Sequence, residues 1–158
     1  MANQTKKLTE MQQNAIVGME KQLDVFCETV DVLVNMVYNY YNDDPEARAE
    51  EFYNKYNIVK SDFKEEILKQ VGPRVYAHKT NVLNNNVNEF VLDQIKQDIM
   101  KSIDKNKDYE TYAQLIDLIK KYYSGANYAT QSDINAKFKT LLKSYAGYLS
   151  YECVLKPK

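Results

Sequence analysis

Asp104, Asn106 and Asp108 alternate with lysines in the stretch DKNKDYETYAQL, between two segments of helical periodicity. Alternating oxygen ligands of this kind open an EF-hand calcium loop. That loop also needs glycine at its sixth position and a bidentate glutamate at its twelfth. Counted from Asp104, those positions hold Tyr109 and Leu115. Tyrosine resists the backbone angles that glycine adopts freely, and Leu115 has no oxygen to offer a hard cation. A one-residue deletion after Asp108 would bring Gln114 to the twelfth position, and its side chain is neutral. The stretch reads instead as a solvated turn over Lys105 to Lys107, with Asp108 capping the next helix. Calcium is not expected to bind.

The remaining chemistry-bearing residues are sparse. His78 is the single histidine, and no Glu-x-x-His pattern occurs, so zinc and di-iron ligand sets are missing. The four glycines are isolated and form no phosphate-cradling loop. Nothing in the sequence brings His78 a nucleophile. Glu65 and Glu66 read as the solvated face of a helix rather than an acid–base pair. Cys27 lies on the apolar side of a helix and reads as a small core residue, whereas Cys153 is near the chain end and undetermined. No catalytic residue, cofactor-binding residue or metal ligand is assigned, and an enzyme is not expected.

The elements that would position any site are helical. The chain has 158 residues, 44% hydrophobic and 27% charged, with four Gly and three Pro. So few breakers suit long helices, and the length suits one domain over 1–158, with 1–8 as a flexible tail. Two distant cysteines make no disulfide framework, which suggests a reducing compartment, and no signal peptide or membrane-spanning run is evident. The expectation is an all-α bundle of about five to seven helices in a host cytoplasm or a virion.

Thr9 and Gln12 form a capping box that opens a helix running to about Asn42. Leu23, Phe26, Val30, Leu33, Val37 and Tyr40 recur at spacings of three and four, opposite a polar stripe of Lys21, Asp24, Glu28, Asp31 and Asn35. Val25, Cys27, Val32, Val34, Met36 and Tyr38 widen the apolar arc, so neighbouring helices or other subunits must cover it. Pro45 to Asn57 predicts a short helix capped by Asp44, and Ser61 caps another that Gly72 and Pro73 close. Helical periodicity from Pro73 to Asp104 (Val75, Val82, Leu83, Val87, Phe90, Val91, Ile95, Ile99, Ile103) is interrupted near Asn85, where an asparagine serves as a new cap. A helix over Asp108 to Ser124 ends at Gly125. Thr130 and Asp133 form a capping box for the last helix, with Ile134, Phe138, Leu141, Tyr145 and Leu149 on one face.

Charge and tyrosine are unevenly placed. Residues 118–158 hold seven lysines against Asp133 and Glu152, a net +5, while residues 1–117 are net −6. Eight of the 14 tyrosines lie between Tyr109 and Tyr151. Tyrosine suits surfaces buried on assembly, and with lysines it can also stack on bases. Tyr122, Tyr123, Tyr128, Lys143, Tyr145, Tyr148 and Tyr151 are therefore the interface candidates. The opposite charges of the two segments suit head-to-tail contact between copies. The start KKLTEMQQ resembles that of phage small-terminase subunits, but no helix-turn-helix follows, so no fold, site or activity is carried over. A non-catalytic assembly protein is expected, partnering itself and other proteins of a viral (phage) structure, adaptor or packaging complex. A nucleic-acid-binding protein and a regulator of a host protein are the alternatives.

Overall fold

The computed structural model describes residues 8–45, 48–62, 64–101 and 109–156. Seven helices and no strand occur among the described residues: α1 (Glu10–Tyr41), α2 (Ala49–Asp62), α3 (Lys64–Ala77), α4 (Lys79–Leu83), α5 (Glu89–Lys101), α6 (Tyr109–Ser124) and α7 (Tyr128–Leu155). The all-α expectation therefore holds. Asp104, Asn106 and Asp108 of the calcium-like stretch lie outside the described residues, as do Ile103 and the first seven residues of the expected tail.

The capping box of α1 is present: the Thr9 hydroxyl accepts from the Gln12 N–H at 3.1 Å, and the Gln12 side chain accepts from the Thr9 N–H at 3.0 Å. Two donors that a helix start leaves unpaired are thereby satisfied. The middle of α1 buries Phe26, Cys27, Val30, Leu33, Val34 and Val37. α1 packs antiparallel to α2, and α5 to α6. Tyr38 of α1 stacks on Tyr53 of α2 with ring centroids 4.2 Å apart, while Asp31 of α1 meets Tyr56 and Lys60 farther along α2. Between α5 and α6, Lys96 reaches Asp117 at 3.0 Å and Lys120 reaches Asp93 at 3.3 Å. α7 lies against α1 along most of its length and also crosses α3. One continuous apolar cluster joins residues from all these helices.

Four boundaries differ from the sequence expectation, each for a local reason. Pro45 sits in a turn, and α2 starts only at Ala49, after Arg48 takes a left-handed backbone (φ 52°). α2 then continues past Asn57 through Ser61, because Phe52, Tyr56 and Val59 maintain one buried face. α3 runs through Gly72 and Pro73 to Ala77. A residue before proline normally avoids helical angles because its Cβ meets the proline ring, and Gly72 has no Cβ. α7 is capped by Asn127, whose side chain accepts from the Thr130 N–H at 2.9 Å, three residues before the expected Thr130. The expected break near Asn85 does occur. Asn85 is left-handed (φ 58°), a conformation asparagine tolerates, and Asn88 accepts from the Val91 N–H at 3.0 Å to start α5. Four residues assigned to apolar faces are exposed instead: Val32, Tyr40, Leu83 and Phe90, with Phe90 70% exposed.

Gly72 also sets the approach of α3 to α7. A Cβ at this position would lie 2.3 Å from Cδ1 of Tyr145. Alanine normally stabilises a helix interior by about 1 kcal/mol over glycine. Here the sign reverses: Gly72→Ala should cost roughly 1–3 kcal/mol through overpacking. Gly125→Ala, where a Cβ meets nothing within 4 Å, should be neutral or slightly stabilising, and urea unfolding of both variants checks the contrast.

Candidate interaction surface

The first turns of α1 and the last turns of α7 form one end of the fold. Between Leu8 and Lys21 only Ala15 is buried, and between Leu149 and Lys156 no residue is. The two helices meet there through small residues. The ring of Tyr151 covers Gly18, where a Cβ would lie 2.6 Å away, and Gln22 rests on Gly147, where a Cβ would lie 3.0 Å away. Glycine inside a helix is unfavourable on its own. Its presence at both crossing points reflects the close approach of the two backbones.

This close seam leaves apolar surface on both flanks. Met11 is 68% exposed, and Leu8, Val17, Tyr151 and Val154 are exposed as well. On one flank a groove of about 430 Å³ is lined by Glu10, Met11, Asn14, Ala15, Tyr151 and Val154. On the other, a groove of about 220 Å³ is lined by Ile16, Met19, Glu20, Leu23, Glu65, Tyr148 and Leu155. Ile16, Met19, Glu20 and Leu23 fall on one side of the Ala15–Gly18–Gln22 line by helical spacing, and Glu10 and Asn14 on the other, with Met11 continuing the line one turn before Ala15. Of the groove-lining residues, sequence reasoning singled out Tyr148 and Tyr151 as interface candidates and Leu23 as an apolar-face residue, but not Met11, Ile16, Met19, Glu20, Val154 or Leu155. The available signal was the pair Gly18 and Gly147, since an isolated glycine in a helical run commonly marks close packing.

The seven interface candidates do not form one patch. Tyr122 and Tyr123 end α6 half-buried, and Tyr122 packs on Tyr40 with centroids 4.9 Å apart. Tyr128 opens α7 and is 84% exposed. Tyr145 is half-buried against Gly72 and Tyr76. Tyr148 is buried, its hydroxyl donating to Glu65 at 3.3 Å. Tyr151 covers Gly18, and Lys143 is exposed. Along α7 the Tyr128 and Tyr145 positions are about 25 Å apart. The spacing of three from Tyr145 to Tyr151 thus serves the contact of α7 with α3 and α1 inside this chain. Part of the charge asymmetry is also met internally: Lys120 reaches Asp93 and Lys121 reaches Asp117, both carboxylates of the acidic segment.

No family model, curated protein or solved structure matches this chain. Among the described residues, no group of three or more His, Cys, Asp or Glu could hold a metal ion, and no helix is long and apolar enough to cross a membrane. His78 lies between α3 and α4 rather than within a helix, with Nε2 3.6 Å from a carboxylate oxygen of Asp98.

Several buried groups are held neutral. Burial pushes the Cys27 thiol up to about 12, and its Sγ lies 3.5 Å from the Lys64 carbonyl. Burial and the adjacent Glu65 carboxylate push the Tyr148 hydroxyl up to about 12. Burial and the hydrogen bond to Asp31 push Tyr56 higher still. A folded-state value above the unfolded one favours the protonated form in the fold. The stability it contributes is complete below the unfolded value and is lost as pH rises towards the folded one. The denaturant midpoint should therefore fall as pH rises from about 9 to about 12. At neutral pH a thiol reagent should label exposed Cys153 in the native chain, and buried Cys27 only after unfolding.

Proposed function

We propose that this chain is a non-catalytic helical protein that works by association, using the free end of the α1–α7 pair to bind a second copy of itself. A structural, adaptor or packaging role in a viral assembly fits this reading. The exposure of Met11, Val17, Tyr151 and Val154 on an end where Ala15 alone is buried carries it. A pair of helices cannot enclose its own apolar flanks. Two such ends laid together around a two-fold axis complete a four-helix arrangement with the same patch on both sides. The segments 8–22 and 147–156 hold Glu10, Glu20 and Glu152 against Lys21 and Lys156, so like-charge repulsion between copies is weak.

The nucleic-acid reading draws less support. Tyr145 and Tyr148 are engaged within the fold, and four lysines of the basic segment have carboxylate neighbours. Regulation of a host protein through the same end is the remaining alternative, and it would leave the isolated chain monomeric.

Light scattering on a size-exclusion column tests the assignment. The wild type should elute at a multiple of 18.5 kDa. Met11→Glu combined with Val154→Glu should lower the mass to one chain without loss of helical circular dichroism, since both positions are exposed. A wild type that stays monomeric at all accessible concentrations overturns self-association. Tyr145 and Tyr148 are unsuitable for this test, because their removal would unpack α7 from α3.

A further inference from the structure

The groove on the other flank of the α1–α7 seam has a divided lining. Ile16, Met19, Leu23 and Leu155 give it an aliphatic floor, and Glu20 and Glu65 add two carboxylates. Its volume of about 220 Å³ falls below the roughly 300–1,000 Å³ of small-molecule pockets. It is sized for the side chains of a docked segment. Its negative charge is poorly balanced. Glu20 is exposed and has no ion-pair partner among the described residues. Glu65 pairs with Lys69 at 3.9 Å, both side chains about half exposed, and such surface pairs are worth little. Lys64 beside it is engaged by Asp24. The Tyr148 hydroxyl donates to one oxygen of Glu65 and leaves its second oxygen facing Lys69.

We propose that this groove docks a basic amphipathic helix of a partner protein. An apolar side chain of that helix enters between Met19 and Leu155. A lysine or arginine about one turn away takes the position offered by Glu20 and Glu65. Helices that dock in grooves present anchors at such spacings, and the unbalanced carboxylates select the cationic partner over an acidic one. The inference rests on reading the α1–α7 end as an interaction surface, but it uses a different groove from the one that Met11 and Val154 line.

The probe is a fluorescent synthetic peptide of about 18 residues, long enough to hold a helix, with leucines at helical spacing and lysines beside them. Its isomer carries glutamate in place of every lysine. Anisotropy with the full chain should show binding of the lysine peptide alone, weakening as salt is raised. Glu20→Lys should reduce the affinity by about tenfold or more, and its exposed position keeps the fold intact. Glu65→Gln, which retains an oxygen for Tyr148, should also reduce it, whereas Lys21→Glu should not. Equal binding of both peptides, or binding of neither, overturns the proposal. So does a lysine peptide that dissociates the oligomer, because the groove would then belong to a second copy. A monomeric wild type that still binds the lysine peptide sinks self-association and leaves this proposal standing. An oligomer that binds no peptide does the reverse.

Discussion

Asn135→Ala is expected to lower the unfolding free energy by roughly 2–5 kcal/mol, because two buried backbone groups lose their partners and each costs about 1–3 kcal/mol unpaired. Asn135 is a buried side chain on α7 whose amide clamps the loop between α4 and α5. Its Oδ1 accepts from the Val87 N–H at 2.8 Å, and its Nδ2 donates to the Val87 carbonyl at 3.2 Å and to the Gln131 carbonyl at 3.1 Å. Val87 itself is fully buried, so water cannot replace the lost bonds without entering the core. Asn135→Asp keeps the acceptor but loses the donor and buries a charge, and should cost at least as much. Urea unfolding followed by circular dichroism measures both. A wild-type midpoint for Asn135→Ala would show that the clamp contributes nothing.

Leu33→Ala should cost roughly 2–5 kcal/mol, as for buried leucines generally, since Leu33 is 2% exposed at the centre of α1. From sequence, Asp31 on the polar stripe is expected to be replaceable at almost no cost. The structure changes that expectation. Asp31 accepts from the Tyr56 hydroxyl at 2.5 Å and pairs with Lys60 at 2.9 Å. Tyr56 is 2% exposed, so Asp31→Ala strands a buried hydroxyl at a cost of roughly 1–3 kcal/mol. Lys21→Ala, on the exposed part of the same stripe, should be near neutral. The expected order of denaturant midpoints is Leu33→Ala lowest, then Asp31→Ala, then Lys21→Ala. Equal midpoints for the first and last would contradict the assigned faces of α1.

The residues of α1 show what was legible in the sequence. Its capping box, its buried seam from Phe26 to Val37 and its polar stripe all follow from local rules, namely side-chain reach at a helix start and a period of 3.6 residues. The boundaries around Gly72–Pro73 and Ser61 were harder. There a local stop signal competes with tertiary packing, and the buried faces of α2 and α3 prevail. The docking end was less legible again. Tyr148 and Tyr128 are the same residue type on one helix, yet one is buried against Glu65 and the other is almost wholly exposed. Periodicity gives the face of a helix but not where its neighbours stop. Asn135 illustrates the same limit, because its partner Val87 is far away in sequence and ordinary in composition.

The pairing of α1 with α7 has a consequence for how the chain is made. α1 leaves the ribosome first among the described helices, and α7 leaves last. The Gly18–Tyr151 and Gln22–Gly147 contacts join the two segments most distant in sequence, and such long-range closures slow folding. Until α7 emerges, the flank of α1 that it covers stays open to water and to other nascent chains. Partly folded chains with open apolar surface are the ones that aggregate or engage chaperones. Translation rate and chaperone supply should therefore govern the yield of soluble protein, and a chain stopped before Tyr145 would remain trapped at that unfinished stage.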